Sequence, residues 1–243
     1  MANFLNLPTL DANFLAPTRT TVDVLGSSID GGRNGAGEGL EIEMSGGGML
    51  ASTYEDCKIQ EKQHFEYVNW LGARFNGGFR FLNVPIITDW FGPFPSVGKI
   101  PTPSVSGIPH SDTALFSDGS GYSQSTVWGE ITQAAALNAG IIKMRVYGLA
   151  RPLRWSDWFS IYHTGGKGWR AYRYWDVLSV TAGTNPVYTL AISPPLREAV
   201  AVGTRVEFAR PRFAAKFKSG FTLPSVSEAF FVTQQTIQFS EAF

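Results

Sequence analysis

From Gly148 to Arg212 the chain reads GLARPLRWSDWFSIY, GKGWRAYRYWDVLSV, NPVYTLAISPPLREAV and GTRVEFARPR, with intervening turn residues. Short runs rich in aromatic and β-branched residues, punctuated by Gly, Pro and Asn, are the signature of a compact antiparallel barrel or sandwich. Side chains alternate along a strand, so Trp169, Ala171, Arg173 and Trp175 share one face. Arg170, Tyr172, Tyr174 and Asp176 share the other. Large aromatics and arginines occur on both faces, so neither reads as plainly solvent. Such a strand is satisfied between a core and a second surface, because Tyr, Trp and Arg are the residues enriched at protein contacts. It is equally satisfied in an ordinary pleated sheet, where arginine stacks on aromatic rings.

The remaining composition agrees with a turn-rich β protein. Of 243 residues, 16% are charged, 44% are hydrophobic and 14% are aromatic, and there are 26 Gly and 14 Pro. Twenty basic and twenty acidic residues cancel. Nothing in that balance points to nucleic acid or to an anionic membrane. A weakly charged, neutral surface suits a subunit held in an assembly. The single cysteine, Cys57, allows no internal disulfide and no multi-cysteine zinc site, and it reads as a small buried hydrophobe. No apolar run reaches the roughly eighteen residues of a membrane helix. MANFLNLPTLDANF has neither a basic nor a continuous apolar region, so a signal peptide is not expected and synthesis in a cytoplasm is.

Along the chain, TTVDVLGSS, GLEIEMS and MLASTYEDCKI alternate as strands, with a Gly-rich loop at 30–39 between the first two. One helix is expected at about 60–75, where Phe65, Val68, Leu71 and Phe75 recur at helical spacing before Gly77-Gly78; Tyr67, Trp70 and Arg74 widen its contact surface. GFRFLNVP returns to a strand with Phe79 and Phe81 on one face. The Pro-rich stretch 89–109 reads as a connection, because proline removes ladder donors. Beyond it, strands are expected at Val127–Thr132, Ile141–Leu149, Trp158–Tyr162, Trp169–Val180 and Tyr188–Ile192. The final alternating run, Phe230 to Phe239, needs a partner strand, and the N-terminal sheet is the natural one. The expected organisation is therefore a discontinuous first domain, 1–95 with 208–243, around an inserted barrel at 96–207.

The chemistry-bearing constellations are thin. Gly35, Gly37 and Gly39 lack the strand before, the helix after and the Lys-Ser/Thr of a phosphate loop. His64, His110 and His163 are far apart and share no metal-ligand spacing. His110, Ser111 and Asp112 are adjacent, which reads as a turn rather than a converging triad. Glu41 and Glu43 share a strand face with no opposing carboxylate element. No enzyme activity, metal or cofactor is expected. The strongest ligand-like signal is the set Arg154, Trp155, Trp158, Trp169, Arg170, Tyr172, Arg173 and Trp175, side chains of the kind that stack on sugars, on bases or on a protein partner.

Three stretches in this order resemble the distal tail proteins of long-tailed, siphovirus-like bacteriophages and prophages. They are EKQHFEYVNWLGARFNGGFRFL; LRWSDWFSIYH with WRAYRYWDVLSV and YTLAISPPLREAVAVGTRVEF; and SVSEAFFVTQQTIQFSEAF. The resemblance covers about half the chain. It implies a mainly β protein, with a β-sandwich or barrel domain carrying one helix and assembling into a ring. An OB-like or galectin-like barrel is inserted into that domain. It further implies a structural virion protein of the tail, a hexameric ring joining the tail tube protein to the baseplate hub and other tail-tip proteins. In that picture the ring contacts come from the helix and the terminal strand, through Phe65, Tyr67, Trp70, Arg74, Phe230 and Phe239. The inserted barrel offers Trp155, Trp158, Trp169, Arg170, Tyr172, Arg173 and Trp175 to a partner. The alternative is a carbohydrate-binding module of the tail tip, recognising a host surface glycan.

Overall fold

The computed structural model of the protein describes residues 3–26, 28–43, 47–76, 80–88, 92–155, 157–224 and 233–243. The chain is mainly β. A 3-10 turn at Ala12–Phe14 precedes β1 (Arg19–Leu25), β2 (Ser28–Arg33), β3 (Gly39–Glu43) and β4 (Met49–Ile59). Helix α1 (Lys62–Phe75) and β5 (Leu82–Pro85) follow. Next come β6 (Ser96–Val97), β7 (Ile100–Pro101), β8 (Ser104–Ile108), β9 (Tyr122–Ser125), β10 (Trp128–Gln133) and β11 (Ile141–Tyr147). The last six are β12 (Trp158–His163), β13 (Gly168–Thr181), β14 (Val187–Ser193), β15 (Arg205–Glu207), β16 (Arg212–Phe217) and β17 (Thr233–Glu241).

Two compact units result. The first comprises Met1–Pro85, Thr164–Trp169 and Phe213–Phe243; the second comprises Ile86–His163 and Arg170–Arg212. The divisions fall at 85/86 and 212/213, against the expected 95/96 and 207/208, and the turn 164–169 groups with the first unit.

The first unit is a five-stranded sheet in the order β1-β4-β17-β16-β5. Strand β4 shows how its side chains are sorted. Leu50, Ser52 and Tyr54 are buried, and so are Cys57 and Ile59, which is a change of phase. Asp56, at φ 51°, causes it: the register opposite β17 runs Tyr54↔Ile237 and then Cys57↔Gln235, three residues against two. This bulge returns the second half of the strand to the core. Burial also pushes the Cys57 thiol up to about 12, so it stays protonated. Helix α1 supplies Val68, Leu71 and Phe75, and the ring of Phe75 stacks on Phe217 at 4.4 Å and lies 6.1 Å from Phe239. Tyr54 meets Phe239 edge-on at 5.5 Å.

Phe239 is thus a core residue, 1% exposed, and not the ring contact expected of it. Strand alternation gives its phase but not which face the sheet buries. Phe230, Phe79 and the Gly77-Gly78 stop lie outside the described residues. The expected Gly-rich loop is partly a strand: Ser28↔Glu43, Ile29↔Ile42, Asp30↔Glu41 and Arg33↔Gly39 pair as a hairpin. Its turn is closed by Asn34, whose Oδ1 accepts from the amides of Ala36 (3.0 Å) and Glu38 (2.9 Å).

The second unit contains a closed barrel, β10-β11-β14-β13-β12-β15. Strands β12, β13 and β14 are sequential neighbours, and β15 returns to lie beside β12, with Ser160↔Glu207 and Ile161↔Val206. That is a Greek key. Closure through β15 and β10, Trp128↔Glu207 to Glu130↔Arg205, completes the cycle of strands. The interior is filled by Ile131, Met144, Val146, Phe159, Ile161, Tyr172, Leu190 and Phe208. Gly148, at φ 74°, leaves β11 so close to the carbonyl of Thr126 that no Cβ fits. Two small hairpins, β6–β7 and β8–β9, each a separate two-stranded sheet, lie between β5 and β10, and the first falls within the Pro-rich stretch.

Met144 is fully buried and Leu178 is 48% exposed. Truncation to alanine at Met144 removes filled volume and should lower stability by about 2–5 kcal/mol, whereas Leu178→Ala should change it by less than about 1 kcal/mol. Urea denaturation followed by tryptophan fluorescence measures both.

Candidate functional site

The expected contact residues converge on the β12–β13 hairpin, and the barrel divides them. Arg170, Tyr172 and Tyr174 point inward with 0%, 0% and 1% exposure. Arg170 and Tyr172 are therefore not surface contacts. Alternation separates the two sets, and the Arg170–Tyr172–Tyr174 set is barrel interior. Trp169 is half-buried and belongs to the sheet unit, so it does not extend a barrel surface either. Asp176 escapes the inward phase because the pairing with β14 slips between Tyr174 and Asp176, a bulge that ends the alternation.

On the other face Ala171 is buried, while Arg173 is half-buried and Trp175 exposed. The Arg173 guanidinium lies 5.7 Å from the Trp158 ring centroid, a cross-strand cation–π pair. Trp175, two residues along β13, is 65% exposed. Trp155 is 74% exposed and sits in the loop leading into β12. That loop is fixed by Asp157, 1% exposed, which accepts from Arg151 Nη2 at 2.7 Å, from Arg151 Nη1 at 2.9 Å and from the amide of Arg154 at 2.7 Å. A bidentate guanidinium–carboxylate pair with an added amide donor is a strong local brace. The brace holds Arg151 and the Arg154 backbone, immediately before Trp155.

Beneath this surface lies a buried polar cluster. His163 Nε2 is 2.8 Å from the Tyr172 hydroxyl, which also accepts from the amide of Arg197 at 3.1 Å. Burial, with the neighbouring Arg170 charge second, pushes the His163 pKa down to about 4. The same burial, with Asp157 adding to it, pushes the Tyr174 phenol well above its usual range.

A second aromatic surface lies on the sheet unit. Phe14 stacks on Tyr67 at 5.1 Å, Tyr67 on Trp70 at 5.4 Å, and Arg74 covers Trp70 at 5.6 Å. Tyr67 is further held by the amide of Asp11, which donates to its hydroxyl at 2.8 Å. Trp70 is 43% exposed and Phe65 is half-buried. Three of the expected helix residues, Tyr67, Trp70 and Arg74, thus form one column along α1.

A third aromatic group lies on the barrel wall. Trp128 stacks on Tyr147 at 4.1 Å with 14° between planes, and Arg205 caps its other face at 4.9 Å. The signal lies in the register, Trp128↔Tyr147 on β10–β11 with β15 alongside, and no local sequence pattern carries it.

The remaining constellations do no visible chemistry. His110 Nδ1 faces the Tyr122 hydroxyl at 3.1 Å, and Asp112 accepts from the amide of Ala114 at 3.0 Å, so the His-Ser-Asp run is a turn. Among the described residues no group of three or more His, Cys, Asp or Glu side chains could hold a metal ion. No helix among them is long and apolar enough to cross a membrane. No protein-family model matches the chain, and no curated protein matches it.

The His163 geometry has a stability consequence. Its folded pKa of about 4 lies below the ordinary 6.5, so the unfolded chain takes up the proton first as pH falls. The contribution is complete above pH 6.5 and is lost between there and about pH 4, amounting to about 3 kcal/mol at most. His163→Gln should flatten that part of the stability profile relative to wild type in denaturation measured from pH 7 to pH 4.

Proposed function

We propose that this chain is a structural subunit of a bacteriophage tail, a distal tail protein that assembles side by side into a ring between the tail tube and the baseplate hub. What carries the reading is the segmentation of the chain. One sheet unit is built from both flanks, Met1–Pro85 and Phe213–Phe243, while a barrel unit is formed by the intervening chain. That is the division the distal-tail resemblance implies, with the flanks forming the ring and the insertion projecting from it.

Two further observations support it. The Phe14-Tyr67-Trp70-Arg74 column gives the sheet unit a rigid, amphipathic contact surface of the composition favoured at the centre of protein interfaces. The polar groups that draw attention in the barrel unit, Asp157, His163 and Tyr172, are engaged with one another or with backbone inside the fold. A six-fold ring and an OB-like barrel are the finer parts of the proposal and follow from the resemblance alone.

The exposure of Trp155 and Trp175 favours a second reading, in which the barrel unit binds a host surface glycan through stacking on those rings.

Purified protein imaged by negative stain and measured by light scattering should give ring-sized particles, alone or with tail tube protein. The double variant W70A/R74E should weaken that association by about tenfold or more. A strictly monomeric species at high concentration, with and without tube protein, overturns the ring. Saturable tryptophan quenching by host glycans that is lost in Trp175→Ala would establish the glycan reading, and a flat titration would remove it.

A further inference from the structure

The turn of the β2–β3 hairpin is built around one side chain. Asn34 Oδ1 accepts from the amides of Ala36 at 3.0 Å and Glu38 at 2.9 Å, and Asn34 Nδ2 donates to Glu38 Oε2 at 2.8 Å. The backbone closes on the same residue: the Asn34 amide donates to the Glu38 carbonyl and the Gly37 amide to the Asn34 carbonyl, each at 2.9 Å. Gly37, at φ 82°, gives the chain the bend that brings these groups together. All five residues from Asn34 to Glu38 are exposed, so water reaches the carboxamide.

Of the five amides in this turn, that of Gly35 has no acceptor among the described residues. It is also unshielded, because nothing lies within 4 Å of the place a Gly35 Cβ would occupy. Two fixed N–H groups aimed at one carboxamide oxygen form the arrangement of an oxyanion hole: they stabilise the charge that develops on that oxygen when a nucleophile adds to its carbon. The nearest nucleophile in the chain is the Gly35 nitrogen, whose bond to Asn34 Cγ closes a five-membered ring. Ring closure within one chain carries no cost of bringing two molecules together.

We propose that Asn34 is a site of spontaneous deamidation and that the folded turn accelerates it. The Gly35 nitrogen bonds to Asn34 Cγ and gives its proton to water, and the negative oxygen of the adduct sits at the Ala36 and Glu38 amides. The Cγ–Nδ2 bond then breaks, and the nitrogen takes a proton back from water and leaves as ammonia. Water opens the remaining succinimide at either carbonyl, which leaves aspartate or isoaspartate at position 34; nothing is oxidised or reduced. The product alters the turn. The bond from Nδ2 to Glu38 Oε2 becomes a contact of carboxylate with carboxylate, and isoaspartate also lengthens the backbone by one carbon. The hairpin is a separate two-stranded sheet, which has little stability to spare, so one irreversible step loosens it.

Peptide mapping by mass spectrometry tests this on the full folded chain, incubated at mildly alkaline pH in heavy-oxygen water so that only conversion during the incubation is counted. The reference is a synthetic peptide of residues 31–39 in the same buffer, which carries the same Asn-Gly step without the fixed turn. Asn34 should convert about tenfold faster in the chain than in the peptide. An equal or slower rate in the chain overturns the proposal. Gly35→Ala fits the open space beside the amide and should slow conversion several-fold, and an unchanged rate overturns the assignment of the Gly35 nitrogen as nucleophile. In hydrogen exchange, N34D should speed exchange at the Gly37 and Glu38 amides, and N34D/E38Q should restore it. Exchange in N34D equal to that of wild type overturns the loosening of the hairpin.

Discussion

The position of β17 is the constraint on which the sheet unit depends. It lies between β4 and β16, pairing Thr233–Ser240 with Ile59–Ala51 and Phe239–Glu241 with Phe217–Ala215. Neither the N-terminal strands nor β16 can form a continuous sheet without it. Its inward residues Ile237 and Phe239 also complete the aromatic core of Tyr54, Phe75 and Phe217. Backbone pairing and side-chain packing are therefore satisfied by one strand that arrives some 170 residues after β4. Contacts of such separation make loop closure a large part of the folding barrier, and slow folding follows. The barrel is far more local: β10–β11 and β12–β13–β14 are sequential neighbours, so this unit can close around its own core first.

The barrel in turn depends on polar groups that its interior has to accommodate. Arg170, His163 and Tyr172 are buried at one end of β12 and β13. A neutral imidazole beside a buried guanidinium avoids placing two like charges in a low-dielectric region, and burial with the Arg170 charge favours that state. Glu207 plays a comparable part at the other end of the closure strand β15. Its carboxylate accepts from Ser125 Oγ at 2.8 and 3.0 Å and from the amide of Ala209 at 2.9 Å, tying β9 to the barrel.

Much of this architecture is legible in the sequence because strand periodicity is a local property. The runs around β10 to β14 and the helix at 62–75 follow from alternation and from helical spacing of Val68, Leu71 and Phe75. What is not legible is sidedness. Alternation separates Arg170 and Tyr172 from Arg173 and Trp175, but which set faces the core depends on closure through β15, which is remote in sequence. Bulges are equally invisible. The extra residue at Asp56 and the slips after Tyr174 and Val177 each reassign the residues beyond them. The Trp128–Tyr147–Arg205 sandwich required three strands to be placed before it existed at all.

The tryptophans that reach the surface, Trp128 and Trp158 only in part, fall into two groups, and the difference is physical. Trp70, Trp128 and Trp158 each lie under an arginine, Arg74, Arg205 and Arg173, at 5.6, 4.9 and 5.7 Å. A guanidinium over an indole supplies a weakly hydrated cation that still faces water, so the ring is partly covered without a core and the chain keeps its few charges where they shield aromatic surface. In a protein with only 16% charged residues, this is an effective use of arginine. Trp155 and Trp175 stay 74% and 65% exposed, one next to the Arg151–Asp157 pair and the other at the bulge in β13.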